Sequence, residues 1–395
     1  MIRGYLREDG RKGIRNAVAV VYLVECAHHV ARQIVEQSEG EVQCIGFPGC
    51  FPNRYAQNMM EKLCTHPNVG AVLVVSLGCE SFDRQRLHAV VESSGRPVST
   101  MVIQQVGGTL DTIAQGRQWV QEAQIQLRDT PRVDMAVSDL VIGTVCGGSD
   151  GTSGITGNPA VGLAFDALVD QGARCIFEET GELIGCESHL ASRAVNPILA
   201  KALDESVKKA ARYYATLGYG SFAPGNADGG LTTIEEKSLG AYAKSGSRPI
   251  TGLLKPGDFP VESGLYLLDV VPDGEVRFGF PNISDNAEIV EMIACGAHMT
   301  LFVTGRGSVV GSAISPVIKI AANPQMYERL SGDMDINAGS ILSGQTTLVE
   351  VGQQIVETII AVAEGAETKS EALGHREFIL TYKYFESNES QGTNC

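Results

Sequence analysis

Cys26, Cys50, Cys79 and Cys146 each stand within a few residues of the end of an expected strand. Taken singly, a free cysteine is most often a small buried hydrophobe. Four at one kind of position point to a shared role. Soft thiolates gathered with a carboxylate, here Glu80, suit iron, an iron–sulfur cluster or zinc. Cys50, Cys79, Cys146 and Glu80 are therefore the candidate metal ligands. Glu178, Glu179, Glu182 and Glu187 are further metal or base candidates. The absence of any CxxC pair argues against a structural zinc site of the usual spacing.

Cys146 opens CGGSDGTSGITGNP (146–159), which holds five glycines. Such a loop offers backbone N–H groups and hydroxyls to an anion. Ser149, Asp150 and Thr152 are its candidate substrate ligands. It matches neither the P-loop nor GxGxxG, so a nucleotide is not implied. Arg306, framed by glycines in TGRGS (304–308), suits a carboxylate or sulfonate in fork geometry. In GGLTTIEEKS (229–238), Glu235 or Lys237 is a candidate general base. The same stretch reads equally well as a capped helix start with Glu in its first turn. His28 and His29 are adjacent and point to different faces, so at most one reaches a site. His189, His298 and His375 read as structural.

The elements that must carry these residues alternate between two periods. Residues 17–24 form a continuous apolar run, the mark of a strand buried on both faces. Further strands are expected at 42–45, 71–77, 98–103, 140–145, 174–178, 265–270, 298–303 and 317–321. Helices are expected from about 25 to 37, then at 54–64, 83–93, 110–127, 160–170, 287–295 and 348–363, with one or two over 187–217. This alternation predicts parallel sheets with right-handed crossovers. Ligands in such sheets sit beyond the carboxyl ends of the strands, where the cysteines fall. RDTPRVD (128–134) reads as a linker, and 221–260 as a Gly-, Pro- and Ser-rich segment winding over the surface or a site. The expected division is an α/β domain at 1–130, a second domain at 131–385 and a polar tail at 386–395.

Composition narrows the class. The 395 residues carry a net charge of −15, which disfavours nucleic-acid binding. No apolar run approaches a membrane span, and the first residues lack the apolar core of a signal peptide. Ten cysteines spread through apolar elements fit a reducing compartment, so the expected location is the cytoplasm.

GYLREDGRKGIRN, SLGCE, CGGSDGTSGITGNP, PGNADGGLTTIEEKSLG, TGRGS and MDINAGSIL, in this order and over nearly the whole chain, resemble the altronate/galactarate dehydratase family. The resemblance implies a Rossmann-like core of parallel sheets flanked by helices, in two domains. It implies a lyase that removes a group β to the carboxylate of a hydroxy acid, using Fe2+, an iron–sulfur cluster or another divalent metal. It also implies a homodimer of this large subunit, formed through the domain at 1–130, with catalysis in the domain at 131–385, and a separately encoded small subunit with a β-clip fold. Cys26, Cys50, Cys79 with Glu80, Cys146 with Asp150, Glu235, Lys237 and Arg306 fall on its motifs. Sugar-acid members carry a polar loop around Cys50; here it is GFPGCFPN (46–53). This loop and the segment after residue 269 resemble a branch acting on the three-carbon (2R)-3-sulfolactate, which yields pyruvate and sulfite. Arg54 or Arg277 would then hold the sulfonate. A sugar-acid dehydratase is the alternative. A non-catalytic hydroxy-acid binding protein is an alternative of another class.

Overall fold

The computed structural model describes residues 2–216, 224–274 and 284–385. Arg277 and the tail at 386–395 lie outside the described residues. In chain order the strands are β1 (Arg3–Leu6), β2 (Lys12–Gly13), β3 (Ala17–Tyr22), β4 (Val42–Gly46), β5 (Val69–Ser76), β6 (Val98–Val102) and β7 (Arg132–Asp134). There follow β8 (Val141–Cys146), β9 (Arg174–Phe177), β10 (Ile250–Leu254), β11 (Gly264–Leu268), β12 (Met299–Thr304), β13 (Val317–Ala321) and β14 (Ile336–Asn337).

They build a four-stranded parallel sheet in the order β4-β3-β5-β6 and a seven-stranded parallel sheet in the order β10-β11-β9-β8-β12-β13-β14. The architecture is α/β. β5 and β8 are buried along their whole length, which their valine-rich sequences VGAVLVVS and VIGTVC allow, since helices must cover both faces. Strand order reverses beside β3 in the first sheet and beside β8 in the second. Each reversal opens a crevice at the carboxyl ends, between β3 and β5 and between β8 and β12.

One face of the larger sheet packs on the helices Gly157–Asp170, Pro197–Thr216 and Leu348–Glu364. Its other face shares a single apolar core with the smaller sheet, through the helices Arg54–Cys64 and Asp285–Ala294. The outer face of the smaller sheet is closed by the helices Glu25–Glu36 and Thr109–Leu127.

Two expectations need correction, and an open one is decided. The stretch read as a linker contains β7, which pairs antiparallel with β1 in a three-stranded sheet with β2. The stretch 221–260 holds the helix Ile234–Ala243 and strand β10. Its glycines mark turns around these elements; they do not mark an irregular chain. The span 187–217 divides into the helices Glu187–Ser192 and Pro197–Thr216, with Pro197 in the first turn of the second, where a missing N–H costs nothing.

Candidate active site

At the carboxyl ends of the neighbouring strands β8 and β9 lies a buried cluster of opposite charges around one thiol. Cys146 ends β8. Its N–H donates to Glu179 Oε1 at 2.8 Å, and its Sγ to Glu179 Oε2 at 3.0 Å. Lys237 Nζ stands 3.3 Å from that sulfur, donates to Ser149 Oγ at 2.7 Å and pairs with Glu182. Lys244 pairs with Glu179 and lies 3.8 Å from the sulfur. Asn158 Nδ2 approaches it at 3.7 Å and is anchored on the Gly240 carbonyl at 2.9 Å. Lys244 is 0% and Lys237 3% exposed, so both ammonium groups depend on these partners.

Local sequence explains how the lysines arrive. Thr233 caps the helix Ile234–Ala243 by accepting from the Glu236 N–H. Lys237 and Lys244 are seven residues apart, two turns, and share one face of that helix. A Cβ on Gly154 would lie 2.8 Å from the Gly240 Cα, so only paired glycines let the helix close on the loop. Glu179 is held at φ 85°, a left-handed conformation costly for a side-chain-bearing residue. The strain is offset by the three contacts its carboxylate makes.

The electrostatics follow from packing. Burial alone would pull the Lys237 ammonium down. The Cys146 sulfur and Glu182 carboxylate beside it reverse that and hold it above the ordinary lysine range. Burial pushes Glu182 up, with Lys237 opposing. Asp285, whose carboxylate presses on Gly147, is pushed up to about 6 by burial and by Glu182. Behind them Glu178 is raised by burial to about 8, and burial raises Glu288 as well. The two carboxyls share a hydrogen bond, which lowers Glu178 and raises Glu288.

The glycine-rich loop is braced from within. Asp150 Oδ1 accepts from Thr152 N at 2.9 Å, Thr152 Oγ1 at 2.5 Å and Ser153 N at 3.2 Å. Its Oδ2 accepts from Asn323 at 3.0 Å. Asp150 and Thr152 thus hold the loop's shape, while Ser149 faces Lys237. Arg306 is exposed at the rim, its N–H donating to Gly148 O at 2.9 Å. Glu235 is exposed in the first turn of its helix, so of the two expected bases only Lys237 enters the cluster. Lys244, Asn158 and Asn323 were not anticipated. The seven-residue spacing of Lys237 and Lys244 was the available signal for the first.

Cys50, Cys79, Glu80 and Arg54 belong to the other sheet. Cys50 and Cys79 are exposed beyond β4 and β5, and Arg54 begins the helix Arg54–Cys64. The Glu80 carboxylate is spent on its own turn, accepting from Ser76 Oγ at 2.5 Å and Gly78 N at 2.8 Å. Phe47, in the loop 46–53, is buried against Phe82 and Tyr382.

Among the described residues, Cys146, Glu179 and Glu182 are the only His, Cys, Asp or Glu trio with ligand atoms within 4.8 Å of one another. These donors form a possible metal site by type and spacing. Each carboxylate, however, already carries a lysine, and a divalent ion would have to displace these buried ammonium groups from their partners. As arranged, the set does not fit a cation.

A family model described as D-galactarate/altronate dehydratase, C-terminal, matches residues 137–386. A second, described as D-galactarate dehydratase/altronate hydrolase, second domain, matches residues 4–128. The chain is 34% identical to the (2R)-sulfolactate sulfo-lyase subunit beta of Chromohalobacter salexigens, over 96% of this chain and 97% of that protein. It is 29% identical to the altronate dehydratase of Bacillus subtilis, over 96% of this chain and 77% of that protein. With the galactarate dehydratase (L-threo-forming) of Escherichia coli it shares 32% identity, over 92% of this chain and 72% of that protein. No helix among the described residues is long and apolar enough to cross a membrane.

Proposed function

The chain belongs to the D-galactarate/altronate dehydratase family and is an enzyme of the lyase class, and from that premise we propose that it eliminates a leaving group β to the carboxylate of a small 2-hydroxy acid. The substrate we favour is (2R)-3-sulfolactate, because the match runs through almost the full length of the sulfo-lyase subunit. That relative is named a subunit, so we place this chain beside a separately encoded small subunit of β-clip fold, in an assembly built on a homodimer of the large chain.

The observation that carries the chemistry is the Lys237–Glu182 pair, set against Ser149 under the glycine-rich loop. Lys237 is held as an ammonium, so the proton acceptor beside it is Glu182, and Lys237 is the cation that meets developing negative charge. Glu182 takes the C2 proton. Lys237 and Ser149 hold the substrate carboxylate as it gains enolate character, where fixed donors in a dry site count most. The C3–S bond breaks, its electron pair leaving on sulfite. The enol takes a proton at C3 and becomes pyruvate. Arg306 at the rim receives the sulfonate. No step is routed through a metal in this cluster.

A second reading, the sugar-acid dehydratase, rests on Asp285. Hydroxide needs a proton to leave, and a carboxyl pushed up to about 6 can supply one. The test is an anaerobic assay of the chain, with its small partner, on (2R)-3-sulfolactate, D-altronate and galactarate in parallel. Pyruvate and sulfite from the first alone support our reading. A 2-keto-3-deoxy acid from either sugar acid supports the second. Binding of any of them without product would leave only a binding protein.

A further inference from the structure

A cavity of about 600 Å³ lies apart from the cluster around Cys146. It is lined by the segments that lead into β3, β4 and β13, by β1 and β7, and by the stretch 364–376. It thus sits at the amino ends of strands from both parallel sheets, whereas the Cys146 cluster sits at carboxyl ends.

Its walls carry opposite charges that do not pair. Glu41, at the entry to β4, accepts the Asn16 N–H and forms no ion pair among the described residues. Arg15, Glu371 and Arg376 all lie close enough to act on it. Arg15 is already neutralised by Glu371, at 2.7 Å. Arg376 is not: it donates to the Val42 carbonyl at 3.0 Å and pairs with no carboxylate among the described residues. Burial pushes the Glu41 carboxyl up although Arg15 opposes it, so a cation brought beside Glu41 would be favoured. Gln43 stands two residues on, on the same face of β4. It is 8% exposed, and its Oε1 is buried with no donor among the described residues. Next to Arg376, His375 accepts at Nδ1 from Lys319 Nζ at 3.4 Å, which leaves its Nε2–H as a donor. Ile314 lines the same cavity at φ 76°, a left-handed conformation that a β-branched residue adopts only under constraint. Such residues gather at ligand clamps.

The charges select the ligand. A lone cation at Glu41 would face Arg15 and Arg376. A lone anion at Arg376 would face Glu41 and Glu371. A molecule that carries both charges close together suits both walls. We propose that this cavity binds a free α-amino acid, its ammonium on Glu41 and Gln43 and its carboxylate on Arg376 and His375. The volume falls in the range of small-molecule sites and leaves room for a side chain.

The test is calorimetric titration of the full chain with the common L-α-amino acids one at a time. Each is run beside the amine that lacks its carboxylate and the acid that lacks its ammonium group. The expected result is saturable one-site binding of at least one amino acid, with both singly charged analogues about tenfold weaker or more. E41Q and R376Q should each weaken that amino acid by about tenfold or more, and K237Q should leave it unchanged. No binding by any amino acid, analogues that bind as tightly, or E41Q and R376Q that bind like the unmutated chain would each overturn the proposal. So would loss of binding in K237Q, which would move the ligand to the cluster around Cys146. The analogue comparison needs no variant to fold. None of these readouts depends on turnover, so failure of the elimination reading would leave them standing.

Discussion

At the scale of residues, the site separates groups that share a motif. Glu235 and Lys237 are two positions apart, yet one faces water and the other a buried sulfur. Replacing Lys237 by Gln should lower kcat by about 10²–10³-fold, the usual cost of losing a donor to developing charge. Steady-state kinetics would show it, alongside an unchanged kcat for E235Q. A K237Q enzyme at full speed would remove Lys237 from the chemistry. E182Q should lose about 10²–10⁴-fold, as expected for a missing base. A rate unmoved by E182Q would send the search for the base elsewhere.

Elements carry a different vulnerability. His298 is buried where β12 meets β8 and β2. Its Nδ1 accepts from Val141 N at 3.0 Å, and its Nε2 donates to Lys12 O at 2.8 Å. Burial lowers it from 6.5 to about 4, and the same burial, with His298 nearby, lowers His66. A neutral ring is needed in the fold, so its stability is complete above pH 6.5 and is lost as pH falls toward 4. For His298 alone the loss is on the order of 3 kcal/mol. Thermal melts between pH 7 and 4 should show this, and H298Q, which can accept and donate at the same places, should flatten the slope. An equally steep slope in H298Q would assign the effect to other groups. These helices and strands were largely legible, because valine runs and 3.6-residue periodicity are local signals. The three-stranded sheet of β1, β2 and β7 was not, since two- to four-residue strands carry too little pattern. Nor could spacing tell that Cys146 belongs to one sheet and Cys50 and Cys79 to another. All four follow expected strands, and only the pairing of strands assigns them to separate crevices.

Over the whole molecule, the two parallel sheets are joined by one core and one buried polar knot. Tyr55 donates to Glu291 Oε1 at 2.5 Å, and Lys383 Nζ to Glu291 Oε2 at 2.8 Å. Lys383 and Glu291 are each 1% exposed. K383M should cost about 3–5 kcal/mol by stranding a buried carboxylate, and E291L added to it should recover much of that. Calorimetry should show a single transition for the unmutated chain, because the shared core couples both sheets. Two well-separated transitions would contradict that coupling. The strained backbone at Glu179 bears on how the protein came to be as it is. A glycine there would relax φ 85° at once, and with Lys244 made Met it would leave no unpaired charge. We expect E179G/K244M to melt at a higher temperature than the natural chain and to turn over nothing. A more durable protein would then be two substitutions away, at the loss of the charges that surround the Cys146 sulfur.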